Sequence, residues 1–156
     1  MSIAIYPGSF DPITLGHVDI ISRASRLYDC IVVAVAKNFS KNPFISTDTR
    51  LLLVKDCVSH LPNVKVKQFE GLTVDFAKAN GASVIIRGLR AISDFEYEFK
   101  MSQMNKTLSQ EIETIFMMSS LDYQFISSSL AREVAALGGD VSTLVPRQVH
   151  QYLKSL

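Results

Sequence analysis

Hydroxyls, one imidazole and several cations recur in short polar stretches of this sequence, and together they have the chemistry to bind and rearrange phosphate. Ser9 and His17 fall within Tyr6-Pro-Gly-Ser-Phe-Asp-Pro-Ile-Thr-Leu-Gly-His17, and Lys37 and Lys41 within Lys37-Asn-Phe-Ser-Lys-Asn-Pro43. Arg87 and Arg90 flank Gly88-Leu89, and the consecutive hydroxyls of Ser127, Ser128 and Ser129 precede Arg132. A strand that turns into a helix at the first stretch would gather backbone N–H groups and the positive end of a helix dipole, which attract anions. Gly8 and Gly16 permit close backbone approach there, while Pro7 and Pro12 stiffen the turn. His17 then sits at the first helical turn, leaning back over the strand end. Each group also has an ordinary reading. Loop cations are commonly solvated, a single serine suffices as a helix cap, and Ile20 and Ile21 could turn His17 toward the core. Their joint placement favours a polyphosphate site.

The elements that must position these groups follow from hydrophobic periodicity. Residues 3–6, 30–35, 64–69, 82–86 and 114–118 read as strands. The second is rich in β-branched residues, as in a strand buried on both faces, and the third alternates like a strand near a sheet edge. The first helix carries Ile20, Ile21, Ala24 and Leu27; the next, capped by Ser46 or Thr47, turns Leu51, Leu52, Val54, Val58 and Leu61 inward. A short helix runs from Gly71 through Val74, Phe76, Ala77 and Ala79 to Asn80-Gly81, and a long one is headed by a capping-box pattern at Ser93 and Glu96 and reaches Leu108. Ser128 or Ser129 caps a helix of Leu130, Val134 and Leu137, and a last helix begins near Pro146 with Val149, Tyr152 and Leu153. The long helix has two apolar stripes, Ile92-Phe95-Phe99 and Tyr97-Met101-Met104-Leu108, where a sheet needs one. The second is expected to meet a ligand pocket, a partner subunit, or both. Strand and helix alternation predicts one α/β domain over residues 1–156, an open five-stranded parallel sheet with helices on both faces. Such sheets bind ligands at the carboxyl ends of the strands, where the polar stretches fall.

Composition narrows the function classes. A length of 156 residues suits one domain with a real core, and a net charge of +1 speaks against the basic surface of a general nucleic-acid binder. Cys30 and Cys57 form no C-x-x-C pair, so neither a disulfide framework nor a zinc site is indicated and a reducing cytoplasm is expected. No run approaches the roughly 18 apolar residues of a membrane span and no leader pattern opens the chain, so a soluble, unprocessed protein is expected. G-x-G-x-x-G and G-x-x-x-x-G-K-[ST] are absent, and no acidic or His/Cys cluster has the spacing of a fixed metal site.

Thr14-Leu-Gly-His17 and Ile126-Ser-Ser-Ser-Leu-Ala-Arg132 are similar to the (H/T)-x-G-H and I-S-S-[ST]-x-x-R motifs of the nucleotidyltransferase superfamily. With Tyr6-Pro-Gly-Ser-Phe-Asp-Pro-Ile-Thr14, Ile86-Arg-Gly-Leu-Arg-Ala91, Asp94-Phe-Glu-Tyr-Glu98 and Phe125-Ile-Ser-Ser-Ser129, nearly the whole chain resembles the bacterial phosphopantetheine adenylyltransferases. The resemblance implies a Rossmann-like fold and transfer of the adenylyl group of ATP to 4'-phosphopantetheine, giving dephospho-CoA and pyrophosphate. It implies ATP contacts at Ser9, Phe10, His17, Gly88, Leu89, Arg90, Glu98, Tyr123, Gln124, Phe125, Ile126, Ser127, Ser128 and Ser129. Phosphopantetheine contacts are implied at Ser9, Lys41, Thr73 and Arg87, with Leu72, Met101, Met104 and Asn105 as pocket walls. Ser9 stands where family members commonly have threonine, which preserves the hydroxyl. Position 73 varies in the family between apolar residues and threonine, so Thr73 is expected to act mainly through its backbone. The catalytic roles implied fall to His17 at the α-phosphate, Lys41 with Arg87 at the incoming phosphate, and Arg90 with the serines at the β- and γ-phosphates. A homohexamer and Mg²⁺ held by substrate phosphates and water are also implied. Nicotinamide mononucleotide or glycerol phosphate as acceptor, and a non-catalytic ATP-binding module, are the alternatives.

Overall fold

The computed structural model describes residues 1–37 and 42–156. Five strands, β1 (Ile3–Gly8), β2 (Cys30–Ala36), β3 (Val64–Phe69), β4 (Val84–Leu89) and β5 (Glu113–Met118), form one sheet of order β3-β2-β1-β4-β5. Every pairing is parallel. The helices are α1 (Leu15–Ala24), α2 (Thr47–Val58), α3 (Thr73–Ala79), α4 (Ile92–Leu108), α5 (Ser128–Ala136) and α6 (Arg147–Lys154). The chain leaves β1 toward β2 and β3, then returns to place β4 on the other side of β1, so the switch point lies between β1 and β4. Their register is confined to Ala4 with Val84 and Ile5 with Ile85, although β1 continues to Gly8 and β4 to Leu89. The strands therefore part toward their carboxyl ends and open a crevice.

Period-2 alternation sends neighbouring strand residues to opposite faces. Ala4, Tyr6, Ile31, Val33, Val35 and Ile86 pack with Ile20, Ile21 and Ala24 of α1, with α2, and with Ala131 and Val149 of α5 and α6. Ile5, Val32 and Ile85 pack on the other face with Val74 and Ala77 of α3. Each completely buried isoleucine, Ile20 and Ile21 among them, contributes about 1.5–3 kcal/mol.

Three local expectations are corrected. The inward stripe of α2 is Arg50, Leu53, Val54, Cys57 and Val58, at i, i+3, i+4, i+7 and i+8, while Leu52 is 61% exposed. Helix α1 stops at Ala24, which leaves Leu27 outside it and exposed. Helix α4 is capped at Ala91 without a side-chain bond, so Ser93 and Glu96 lie inside it and form no capping box. Neither apolar stripe of α4 is covered: Phe95, Tyr97, Phe99, Met101 and Met104 are exposed and its one buried residue is Glu98. The carboxylate turns inward because an arginine waits there.

Candidate active site

Arg87 rises from β4 into the crevice. Its Nε and Nη2 donate to the two oxygens of Glu98 at 2.8 and 2.7 Å, and its Nη1 donates to the carbonyl of Pro7 on β1 at 3.0 Å. One guanidinium thus joins α4 to both strands at the switch point. Burial works against its charge, but the bidentate Glu98 contact outweighs this and raises the Arg87 pKa further. One hydrogen remains on each terminal nitrogen for a ligand.

Across the crevice, β1 ends at Gly8 and the turn to α1 begins. Phe10 adopts φ 48°, a left-handed backbone that a bulky residue seldom takes, and its ring is almost wholly buried. The ring meets Tyr6 and His17 edge-on, with centroids 5.6 and 5.1 Å away. Thr14 caps α1 reciprocally: its Oγ1 accepts from the His17 N–H at 3.3 Å, and His17 Nδ1 accepts from the Thr14 N–H at 3.0 Å. That bond leaves the proton of the neutral ring on Nε2. Burial first, then the charges of Arg90 and Arg87, push the His17 pKa down to about 4. His17 is therefore a neutral donor at physiological pH.

The third wall comes from the segment after β5. Ser127, not Ser128 or Ser129, caps α5, its Oγ accepting from the Leu130 N–H at 3.0 Å. Ser128 Oγ donates to the Pro12 carbonyl at 2.7 Å, and Ser129 Oγ accepts from Arg132 Nη2 at 3.2 Å. Arg132 Nη1 also donates to the Asp11 carbonyl at 2.7 Å. These bonds lock the start of α5 against the turn after β1, so two positive helix ends, α1 and α5, face one space. Arg90 completes it, its Nε and Nη2 held by the Asp94 carboxylate at 3.1 and 3.2 Å and its Nη1 reaching the Ile126 carbonyl at 3.4 Å.

Two adjoining cavities result. The larger, about 470 Å³, is lined by Ser9, His17, Gly88, Arg90, Ile126, Ser127, Ser128 and Ser129, with Tyr6, Thr14 and Gly16 among the others. The smaller, about 270 Å³, is lined by Ser9, Thr73, Arg87, Glu98, Met101 and Asn105, together with Tyr97 and Ser102. Ser9 and Arg87 belong to both. Of the other residues marked by sequence, Glu98 lies on the smaller cavity rather than with the implied ATP group. Phe10 lines a narrow crevice between Ser9 and His17. Leu89 is buried, and Leu72, Met104 and Phe125 are exposed and line neither cavity, nor do Tyr123 and Gln124. Lys41 lies outside the described residues. Sequence reasoning missed Asp94 as the holder of Arg90, and also Arg50, a completely buried cation whose place at the head of the α2 stripe was the available signal.

Residues 5–134 match the family model described as cytidylyltransferase-like. A solved nicotinic acid mononucleotide adenylyltransferase from Plasmodium falciparum, complexed with NaAD, has the same fold, with a TM-score of 0.74 at 18% identity over 99% of this chain and 95% of that one. These likenesses define the class as a nucleotidyltransferase fold. Phosphopantetheine adenylyltransferase of Geotalea daltonii is 52% identical over 153 residues, 98% of this chain and 95% of that protein. The corresponding protein of Paraburkholderia xenovorans is 51% identical over 154 residues, 99% of this chain and 90% of its own length. The chain belongs to the phosphopantetheine adenylyltransferase family.

Proposed function

We propose that the protein transfers the adenylyl group of ATP to 4'-phosphopantetheine, producing dephospho-CoA and pyrophosphate in the penultimate step of coenzyme A biosynthesis. The observation that carries this reading is the pair of cavities meeting at Ser9 and Arg87, one ringed by helix ends, serines and Arg90, the other walled by α4. A nucleotide triphosphate in the first and an acceptor in the second would bring their phosphates together beside His17.

An oxygen of the acceptor phosphate forms a bond to the α-phosphorus of ATP as the bond from that phosphorus to the bridging β-oxygen breaks, and pyrophosphate carries away the electron pair. The acceptor is already anionic at neutral pH, so no general base is required. The protein positions the two phosphates and stabilises the charge that develops between them. His17 donates from Nε2 to an α-phosphate oxygen, and its depressed pKa keeps the ring in the form whose remaining nitrogen stays bonded to Thr14. Arg87 and Lys41 receive the acceptor phosphate; Arg90 and the N-terminus of α5, with Ser127, Ser128 and Ser129, receive the β- and γ-phosphates. Mg²⁺ bound to the triphosphate would supply charge neutralisation at the phosphate oxygens, a role that asks for no protein cage.

The same reading makes the protein a cytoplasmic homohexamer. Its support is the two uncovered apolar stripes of α4, with Phe95 on one 44% exposed and Tyr97 and Met104 on the other 64% and 54% exposed. Both cysteines are free and buried, and no helix of the described residues is long and apolar enough to cross a membrane. Pyrophosphate release from ATP, measured with phosphopantetheine, nicotinamide mononucleotide and glycerol phosphate as separate acceptors, tests the activity. Release with phosphopantetheine alone is expected; release with another acceptor only, or with none, overturns it.

A further inference from the structure

Arg50 has no surface exposure, yet it carries a charge, and its bonds run to three main-chain carbonyls and one hydroxyl. Its Nε donates to the Ile45 carbonyl at 3.0 Å, its Nη1 to the carbonyls of Ala36, at 3.0 Å, and Ser9, and its Nη2 to Thr47 Oγ1 at 2.9 Å. Ala36 ends β2, Ile45 precedes α2, and Ser9 begins the turn that leads to His17. Asp11 works from the opposite side, its carboxylate accepting from the N–H groups of Phe44 and Ile45 at 3.0 and 2.8 Å. The planar five-donor fork of arginine reaches all three chain segments; a lysine ammonium is a single point of donation.

The Ser9 carbonyl belongs to the peptide plane that precedes Phe10. Rotation of that plane about the N–Cα bond of Phe10 is φ, which stands at 48°. A left-handed backbone at an aromatic residue persists where surroundings over-determine it. The consequence reaches the site directly, because the Phe10 ring packs against the His17 ring with centroids 5.1 Å apart.

We propose that Arg50 is a positioning residue for the adenylyl transfer, holding the Ser9–Phe10 peptide so that Phe10 seats the His17 ring and Ser9 stays at the meeting of the two cavities. Nothing in this role touches substrate. It rests on the activity proposed above only for its kinetic consequence; the seating of His17 is a property of the unliganded chain.

The test compares the full chain with Arg50→Lys and Thr47→Ala in two measurements: steady-state pyrophosphate release, and titration of the His17 imidazole by NMR. Arg50→Lys is expected to lower kcat by about 10- to 100-fold while KM for ATP stays within about twofold, since an ångström-scale misplacement costs about that much in rate. The His17 pKa is expected to rise from about 4 toward its ordinary value as the ring leaves its seat. Thr47→Ala removes the Nη2 contact, which does not reach the turn, and is expected to leave kcat and the His17 titration as in the parent. A parental His17 titration in Arg50→Lys overturns the proposal, as does a Thr47→Ala variant that loses as much kcat as Arg50→Lys. Arg50→Gln, which keeps a donor at shorter reach, takes the place of the lysine variant if that chain does not fold. A parent chain that releases no pyrophosphate defeats the assigned activity instead, and the His17 titration still decides the role of Arg50.

Discussion

Replacing His17 with alanine removes two bonds that do different work. On the Nε2 side a donor aimed at the developing charge is lost, which costs on the order of 10² to 10³ in kcat, or about 2.7–4 kcal/mol of transition-state stabilisation. On the Nδ1 side the Thr14 N–H loses its 3.0 Å acceptor, and leaving such a group unpaired costs about 1–3 kcal/mol of folding stability. The two losses separate by measurement: a thermal melt of the variant above assay temperature is expected, and the kcat of the folded molecules then reports the kinetic loss alone. ATP affinity, assigned above to Arg90 and the start of α5 by proposal, is expected to change by less than about fivefold. Pyrophosphate release under saturating substrates gives kcat, and calorimetric titration with ATP gives the affinity. The folded His17 pKa of about 4 lies below the unfolded value, so the unfolded chain takes up a proton first as pH falls. The native state then loses up to about 3 kcal/mol between pH 6.5 and pH 4, a loss that His17→Ala abolishes. A variant with near-normal turnover, or one whose kcat falls only in step with ATP binding, refutes the assignment of His17 to the α-phosphate.

The Arg87–Glu98 pair makes a second prediction: Glu98→Ala leaves the half-buried Arg87 guanidinium without its carboxylate and lowers stability by about 1–3 kcal/mol, whereas Arg87→Met with Glu98→Met together recovers most of it by thermal melting without recovering turnover. Among the serines, Ser127→Ala is expected to cost about 1 kcal/mol of stability through the lost cap, with Ser129→Ala raising KM for ATP at nearly unchanged stability. Equal stability losses in the two would contradict the division of labour. Sedimentation of the full chain is expected to return a hexamer, dispersed by Phe95→Glu or Met104→Glu on the two exposed stripes of α4; a parent that sediments only as monomer at micromolar concentration refutes the assembly.

The strand count, sheet edge and switch-point logic were legible because they rest on apolar runs, which local periodicity reports well. Element ends were less so. Strand β4 runs on through Arg87 and Gly88 to Leu89, since its polar residues still find partners on β5, whereas the apolar run stops at Ile86. In α2 the expected Val54 and Val58 are buried and Leu51 and Leu61 pack against the core, but Leu52 faces out, and Arg50, Leu53 and Cys57 were not expected inside because a charged residue at the head of the stripe is normally read as the solvent side. The gathering of Ser9, His17, Arg87, Arg90 and Ser127 to Ser129 at one sheet edge followed from residue types at strand ends. What sequence withheld was the bond each group already makes: Ser127 rather than its neighbours at the cap, Glu98 turned into the sheet, Asp94 on Arg90. The Arg87–Glu98 pairing joins β4 to α4 across eleven residues, which no local pattern encodes, while the Ser127 and Asp94 bonds are three and four residues long and compete with neighbours of the same chemistry.

These pairings separate two arginines that look interchangeable in Arg87-Gly-Leu-Arg90. Arg90 is 40% exposed along its side chain and bonds Asp94 four residues on, an arrangement worth a few tenths of a kcal/mol that a triphosphate displaces readily. Arg87 is paired bidentately with a carboxylate only 11% exposed, and breaking that bond would leave the carboxylate unpaired inside the fold. Arg90 is therefore suited to move onto a polyphosphate and let go with the departing pyrophosphate. Arg87 is suited to stay, offering its remaining hydrogens from a fixed position between β1 and β4. A transfer between two phosphates needs both kinds of cation, a stationary one to set where the acceptor stands and a mobile one to follow the charge as it leaves.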